Sequence, residues 1–240
     1  MAGWNQTVTV GLGTLPKQFA RLGSRANPLI SRYKRQLIVT RQLAWRMQQP
    51  KAYPFWSDLM DSISLLPKLL VRKPVSDDAA AIAILHIRSW QSAYVGLLSK
   101  RYLSALDISV ERRVVFLKQA IESGSPSIRV AELDGHVIGW VSFGPSRDQD
   151  ASTGTAELMA IYLDPLCWAR GIGTALWTEA RQALMDHGYQ QVCAWVLDGN
   201  ERATRFYCKH GFSAQAGSQR IFEENGEPLP LTRYGLMLGS

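Results

Sequence analysis

Apolar and polar residues follow two different periodicities around one central stretch, residues 158–188. The apolar run Leu158–Leu163 has no polar alternation and ends at Asp164-Pro165, which is typical of a strand covered on both faces. From Ile172 to Leu184, apolar residues recur at helical spacing, and Gly188 follows where a left-handed helix C-cap is expected. The pattern therefore predicts a buried strand, a tight turn and a helix.

Shorter periodic segments on both sides predict a mixed α/β domain. Asp134-Gly135 between two apolar runs indicates a hairpin, and Asn200 and Gly211 are suited to begin and end a helix. The expected strands are Leu69–Lys73, Ser127–Leu133, His136–Phe143, Thr155–Asp164, Gln191–Leu197, 213–222 and 229–238, and the expected helices start at Ser76-Asp77-Asp78, Ile108, Ile172 and Glu201.

Glu157 is the one charged residue in the apolar part of the central strand. Strict alternation places it on the same face as Met159, Ile161 and Leu163. A carboxylate on a covered strand needs a reason, and two remain open. Glu157 is either a general base whose burial suits it to accept a proton, or a structural residue that is solvated at the strand mouth or paired with an arginine.

The turn after the central strand reads Arg170-Gly171-Ile172-Gly173-Thr174-Ala175. Glycines let a ligand approach the backbone closely, and the first N–H groups of a helix lack intrahelical partners, so this turn predicts a phosphate site to which Arg170 adds charge. A tight turn without a ligand is the alternative. Leu176 replaces the third glycine of a dinucleotide-binding fingerprint, and no Gly-Lys-Ser/Thr follows, so neither of the two commonest nucleotide motifs is present.

Charge divides the chain into two parts. Residues 1–68 hold 10 Lys/Arg and 2 Asp/Glu, whereas residues 69–240 hold 17 and 18, so the net charge of +7 belongs to the first part. We therefore expect a basic N-terminal extension at 1–68 and a nearly neutral domain at 69–240. The pI gives no reason to assign the domain a nucleic-acid partner.

The extension allows three interpretations. It is a loosely ordered segment, a surface-binding helix for anionic lipid or nucleic acid, or an organellar presequence. Ser31–Met47 has the pattern of a basic amphipathic helix, which Pro50 and Pro54 end.

Three cysteines without a C-x-x-C pair argue against a disulfide framework or a zinc ribbon. They favour a reducing compartment, and we expect a cytoplasmic protein. The four histidines, His86, His136, His187 and His210, lack metal-ligand spacing, so no metal is expected. No apolar run reaches the roughly 18 residues that a transmembrane helix needs.

Three motifs together resemble the GCN5-related N-acetyltransferase (GNAT) family. Trp168-Ala169-Arg170-Gly171-Ile172-Gly173 resembles its acetyl-CoA pyrophosphate loop, Gln/Arg-x-x-Gly-x-Gly/Ala, with Trp168 in place of Gln or Arg. Asn200 to Phe212 resembles Asn-x-x-Ala-x-x-Phe-Tyr-x-x-x-Gly-Phe, and Ser89 to Leu98 resembles the first helix and its loop. The resemblance implies an α/β acyl-CoA N-acyltransferase fold, in which a twisted, mostly antiparallel sheet is flanked by helices and its two central strands separate at the cofactor.

The resemblance also implies roles for individual residues. Glu157 is the expected base and Tyr207 the acid that protonates the CoA thiolate, while a backbone N–H within Leu158–Ile161 stabilises the oxyanion. Trp90 and Tyr94 are candidates for the acceptor pocket, with core aromatics as the alternative. The expected cofactor-binding residues are Ala160, Ile161, Tyr162, Arg170, Gly171, Ile172, Gly173, Thr174, Ala175 and Asn200.

The expected function is direct transfer of an acetyl group from acetyl-CoA to a primary amine of a small molecule or peptide. Two alternatives stay open: a protein N-terminal or lysine acetyltransferase, and a non-catalytic acyl-CoA sensor. The sequence does not decide between a monomer and a homodimer.

Overall fold

The computed structural model describes residues 69–239. The expectations for residues 1–68, including the amphipathic helix Ser31–Met47, lie outside the described residues. The helices are α1 Asp78–Ala93, α2 Lys100–Ala105, α3 Val110–Ser123, α4 Ile172–Asp186 and α5 Glu201–Lys209, with short 3₁₀ turns at Leu106–Ser109 and Pro165–Cys167. The strands are β1 Leu69–Arg72, β2 Ser127–Leu133, β3 His136–Pro145, β4 Thr155–Leu163, β5 Gln191–Leu197, β6 Ser213–Ala214, β7 Arg220–Glu224 and β8 Glu227–Met237.

All described strands belong to one mixed sheet. Its order is β1-β2-β3-β4-β5-β8-β6, and β7 pairs with β8 beside this path. Every neighbouring pair is antiparallel except β4 and β5, which run parallel in the middle of the sheet. The expected mostly antiparallel α/β architecture is confirmed.

Helices cover both faces of the sheet. On one face, α4 buries Ile172, Leu176 and Leu184 against a core that includes Val141 and Leu158. On the other face, α1 and α3 pack against residues of β2 and β3. The apolar stripe of α4 is therefore an inward face, as its spacing predicts. None of the helices between residues 69 and 239 is long and apolar enough to cross a membrane.

Two-residue turns set the register of both hairpins. Asp134 and Gly135 have φ angles of 49° and 77°, the left-handed pair that matches the twist of the flanking strands, and the expected hairpin is confirmed. Asn225 and Gly226 repeat this geometry with φ angles of 53° and 77°. The closing turn is thus shorter than the expected Glu223–Gly226, and the expected strand over 213–222 divides into β6 and β7 around Gly217, whose φ is 70°.

The central strand contains a β-bulge that the alternation did not predict. Leu158 pairs with Phe143 and Ala160 with Ser142, so Met159 is an extra residue in β4. Ala156, Leu158, Ile161 and Leu163 consequently face the α4 side, and Ala160 and Tyr162 face the α1 side. The expectation that Glu157 shares a face with Ile161 and Leu163 is wrong, because the bulge shifts the pleat by one residue.

His86 of α1 is a buried histidine within a ring cluster. Its ring stacks on Tyr162 with centroids 4.6 Å apart, and its Nε2 atom has no hydrogen-bond partner among the described residues. Burial, and then the charge of Arg113, hold the pKa of His86 well below its ordinary value of 6.5. The neutral imidazole is therefore the form that the fold accommodates.

We expect His86 to make the fold sensitive to acid. Its pKa is lower in the folded than in the unfolded protein, so the unfolded state binds more protons below pH 6.5 and stability falls as the pH falls. Between pH 7.5 and 5.5, His86→Phe should remove about 1.4 kcal/mol of the loss in unfolding free energy, measured by urea denaturation. The exposed His136 provides the control: His136→Gln should leave this pH dependence in place, and an unchanged dependence in His86→Phe would contradict the assignment.

Candidate functional site

A cleft opens where β4 and β5 stop pairing. Their parallel ladder covers Thr155–Glu157 of β4 and Gln191–Cys193 of β5, although the strands continue to Leu163 and Leu197. Met159–Leu163 are all partly exposed in spite of their place in the middle of the sheet. From Leu158 to Tyr162, the β5-facing edge of β4 has no strand partner in the described chain, so its N–H and C=O groups are available to an extended ligand. The Leu163 carbonyl beyond them accepts a hydrogen bond from Ser89 Oγ at 2.6 Å.

The glycine-containing turn lies at the end of this cleft. Ala169 and Gly171 both adopt positive φ angles, of 60° and 81°, and α4 starts at the next residue. The first N–H of this helix to bond back is that of Ala175, which donates to the Gly171 carbonyl at 3.0 Å. The N–H groups of Ile172, Gly173 and Thr174 precede this bond, so they form the kind of helix N-terminus that binds phosphate.

The two glycines of the turn serve different structural needs. A Cβ on Gly171 would meet no atom within 4 Å, so the requirement there is the positive φ. A Cβ on Gly173 would lie 3.2 Å from the Phe206 ring and 3.6 Å from Leu163, so the requirement there is close packing of α4 against α5 and β4. Gly171 therefore shapes the turn, and Gly173 lets α5 lie against it.

Asn200 begins α5, the helix whose Phe206 packs against Gly173 of this turn. Its Oδ1 accepts a hydrogen bond from the Ala203 N–H at 3.2 Å, which confirms the expected N-cap. The side-chain amide nitrogen makes no hydrogen bond within residues 69–239, so it can donate to a ligand in the cleft.

Tyr207 lies on the inward side of α5. The residue is 6% exposed, and its ring contacts Phe212 and stacks on Tyr234 with centroids 5.2 and 6.3 Å away. Burial, and then the neighbouring Tyr162, raise the pKa of Tyr207 above its ordinary value, so the hydroxyl remains a proton donor at neutral pH. Burial also raises the pKa of Tyr94, with Tyr162 and Tyr207 among the contributing neighbours. The hydroxyl groups of Tyr94, Tyr162 and Tyr207 therefore lie close enough to affect one another's pKa.

Glu157 is 2% exposed and forms an ion pair with Arg147. Its Oε2 accepts hydrogen bonds from the backbone N–H and Nε of Arg147, at 3.2 and 3.0 Å, and its Oε1 accepts one from Nη2. Among the alternatives for this residue, the structure thus provides an arginine partner. Five residues of strand, roughly 16 Å, separate Glu157 from Tyr162. Tyr207 stacks on Tyr234, which pairs with Ala194, the neighbour of the Glu157 partner Cys193.

Aromatic residues of α1, of the segment after it and of β4 form a wall on the α1 side of the sheet. Trp90 meets Tyr94 edge to face at 5.1 Å and lies 6.2 Å from Tyr162. The guanidinium of Arg113 lies 5.8 Å from the centre of the Trp90 ring. Trp90 and Tyr94 therefore contribute to the apolar packing of this region, and they also adjoin the cleft through Tyr162.

The β7–β8 hairpin, near the C-terminus, packs against the cluster that contains these aromatic residues. Glu224 pairs with Arg113 at 3.7 Å, and the Glu227 carboxylate accepts hydrogen bonds from the N–H and Oγ of Ser99, both at 2.6 Å. The hairpin is thus tied to the loop before α2 and to α3. No set of three or more His, Cys, Asp or Glu side chains in the described range is arranged to hold a metal ion.

The predicted residues form two groups in space. Ala160, Ile161 and Tyr162 lie on the open part of β4 with Tyr207 near Tyr162, the turn follows the end of β4 and Asn200 follows the end of β5, whereas Glu157 lies where β4 is still paired. Sequence reasoning did not single out Arg147, Arg113, Glu224 or Arg202. Arg147 had a usable signal, because a buried carboxylate needs a cation and Arg147 is the only basic residue of the loop 146–154.

Comparison with known proteins agrees with this geometry. Residues 90–212 match the family model described as Acetyltransferase (GNAT) family. YuaI of Bacillus subtilis, an uncharacterized N-acetyltransferase, is 31% identical over 160 residues, which are 65% of this chain and 84% of YuaI.

Two solved structures share the fold. The PaiA N-acetyltransferase of Thermoplasma acidophilum, in complex with coenzyme A, aligns with a TM-score of 0.55 and 20% identity over 69% of this chain and 98% of its own. YncA of Salmonella typhimurium, with its cofactor acetyl-CoA, aligns with a TM-score of 0.56 and 22% identity over 72% of this chain and 95% of its own. With its family match, its relative YuaI and its separated central strands, the chain belongs to the GNAT family of acetyltransferases.

Proposed function

We propose that the protein transfers an acetyl group from acetyl-CoA to a primary amine of a small molecule or peptide, within a ternary complex. The observation that supports this most is the open edge of β4, which runs from the Gly171 turn back to Leu158, the residue after Glu157. Acetyl-CoA supplies an activated thioester, and the chain supplies binding and orientation. Holding two reactants in one cleft accounts for much of the acceleration of such a transfer.

The residues of the cleft fit a pantetheine diphosphate. The N–H groups that open α4 receive the diphosphate, and Arg170 and Thr174 flank them. The unpaired edge at Ala160, Ile161 and Tyr162 presents amide groups to the pantetheine arm, and Asn200 offers its free amide nitrogen. A backbone N–H within Leu158–Ile161 donates to the acetyl oxygen as that oxygen gains negative charge.

Tyr207 is the proposed acid. Its protonated, buried hydroxyl can give a proton to the thiolate as the thioester bond breaks. Glu157 is the proposed base, through water. Its Oε1 accepts one hydrogen bond, from Arg147, and a carboxylate oxygen accepts two, so one acceptor position is left for that water. Trp90 and Tyr94 line the side from which the amine enters.

The function is tested by the release of CoA thiol with amines, amino acids, polyamines, aminoglycosides and peptides as acceptors. Turnover that needs both substrates supports the proposal. Tight binding of acetyl-CoA without turnover on the whole panel would contradict it and favour a binding module.

Gly171→Ala should weaken CoA binding by about tenfold or more, because a positive φ is strained for alanine and the N–H groups of the turn lose their alignment. Calorimetry with CoA measures the effect. Gly188→Ala is the matched control, since Gly188 has a φ of 80° and, like Gly171, has open space around it, but it follows the far end of α4. Both variants should lose about 1–2 kcal/mol of stability. Equal CoA affinities in the two variants would contradict the assignment of the turn.

Tyr207→Phe should lower kcat by about a hundredfold or more while CoA affinity changes little, because only the proton donor is removed. Steady-state thiol release and calorimetry separate the two quantities. Tyr234→Phe, on the neighbouring ring, is the control and should retain turnover. Wild-type turnover in Tyr207→Phe would exclude the acid role.

Glu157→Gln should change the pH dependence of kcat if the carboxylate takes the ammonium proton. A lower kcat with the same pH profile would instead assign Glu157 to holding Arg147. Arg147→Gln is measured beside it, because loss of that guanidinium leaves the carboxylate in place and removes only its partner.

A further inference from the structure

One face of helix α5 packs against the Gly171 turn and the start of α4. Arg202, Phe206 and His210 are spaced four residues apart and so share a face. Arg202 stacks on Trp168, Phe206 adjoins Gly173, and His210 Nε2 lies 3.2 Å from Thr174 Oγ1. The start of α5 therefore brings Arg202 to the first position of the turn.

Arg202 is held flat on an aromatic ring. Its Cζ atom lies 3.5 Å from the centre of the Trp168 ring, which is van der Waals contact. In a guanidinium stacked in this way, the N–H bonds run parallel to the ring, so they can still donate hydrogen bonds to an acceptor beside the ring. Trp168 occupies the position at which the family's loop has Gln or Arg, so the side chain at that position has become a platform for a guanidinium from another helix.

The guanidinium of Arg202 has no carboxylate partner in the described chain. The adjacent Glu201 pairs with Arg205 at 2.9 Å, one turn further along α5. Burial, and then the charge of Arg205, lower the pKa of Arg202, so the surroundings disfavour its positive charge. An anion beside Arg202 would relieve this cost.

We propose that Arg202, positioned by Trp168, binds a phosphate group of CoA and replaces the polar side chain that is missing from the first position of the turn. The inference rests on the proposed function and names one more residue of the same site. CoA carries phosphate both in its diphosphate and at the 3′ position of its ribose, and either group can accept the edge of a guanidinium.

Calorimetry on the full chain with CoA and with 3′-dephospho-CoA tests the proposal. Arg202→Gln should weaken CoA binding by about ten- to thirtyfold, the loss of one charge-assisted contact. If the same factor is lost with dephospho-CoA, the diphosphate is the partner, and if it is lost only with CoA, the 3′-phosphate is. Arg205→Gln, which removes an exposed positive charge from the same helix, is the control and should bind CoA like wild type.

Trp168→Leu separates positioning from direct contact. It should weaken CoA binding less than Arg202→Gln does, and the double variant should bind no more weakly than Arg202→Gln alone, because the ring acts through the guanidinium. Acetyl-pantetheine, which lacks every phosphate, should react equally with wild type and with Arg202→Gln.

Two results would overturn the inference: wild-type affinity in Arg202→Gln, or an equal loss in Arg205→Gln. If wild type binds no CoA, the proposed function is wrong. If wild type binds CoA and Arg202→Gln binds it equally well, only the role of Arg202 is wrong, so the two failures are distinguishable.

Discussion

The parallel ladder between β4 and β5 ends after three residue pairs, and the functional geometry of the molecule depends on that short ladder. An unpaired strand edge in the interior of a sheet is costly, because each buried amide or carbonyl without a partner loses about 1–3 kcal/mol. Here β3 bonds the other edge of β4 along its length, and helices cover both faces. The strand is therefore fixed in an extended form with one side available, and a ligand backbone can complete it without rearrangement.

Most elements of this arrangement were readable from local patterns. The inward stripe of α4, the Asp134-Gly135 turn and the Asn200 cap each depend on residues within a few positions of one another, and the structure confirms them. The turn at Gly171 was readable for the same reason, since a glycine with positive φ next to a helix start is a local signal. The family motifs then ordered these elements into one fold.

The remaining features depend on contacts between segments distant in sequence. The bulge at Met159 could not be predicted from the sequence, because Leu158–Leu163 are all apolar and no polar residue marks the change in which side chains face each side of the sheet. The partner of Glu157 comes from a loop whose path is set by the sheet. Trp168 and Arg202 meet only because α5 packs across the start of α4, which Gly173 permits.

The hairpin β7–β8 has a consequence for how such a protein diversifies. Its tip is joined to Ser99 and Arg113, whereas the turn at Gly171 and Asn200 lie in a separate, continuous stretch of the chain. Substitutions at Glu224 or around Ser99 can thus change the contacts of the hairpin while the turn at Gly171 keeps its own internal contacts. Under the proposed function, selection of the acceptor and binding of the donor depend on separate segments, so substitutions can alter the first without disturbing the second.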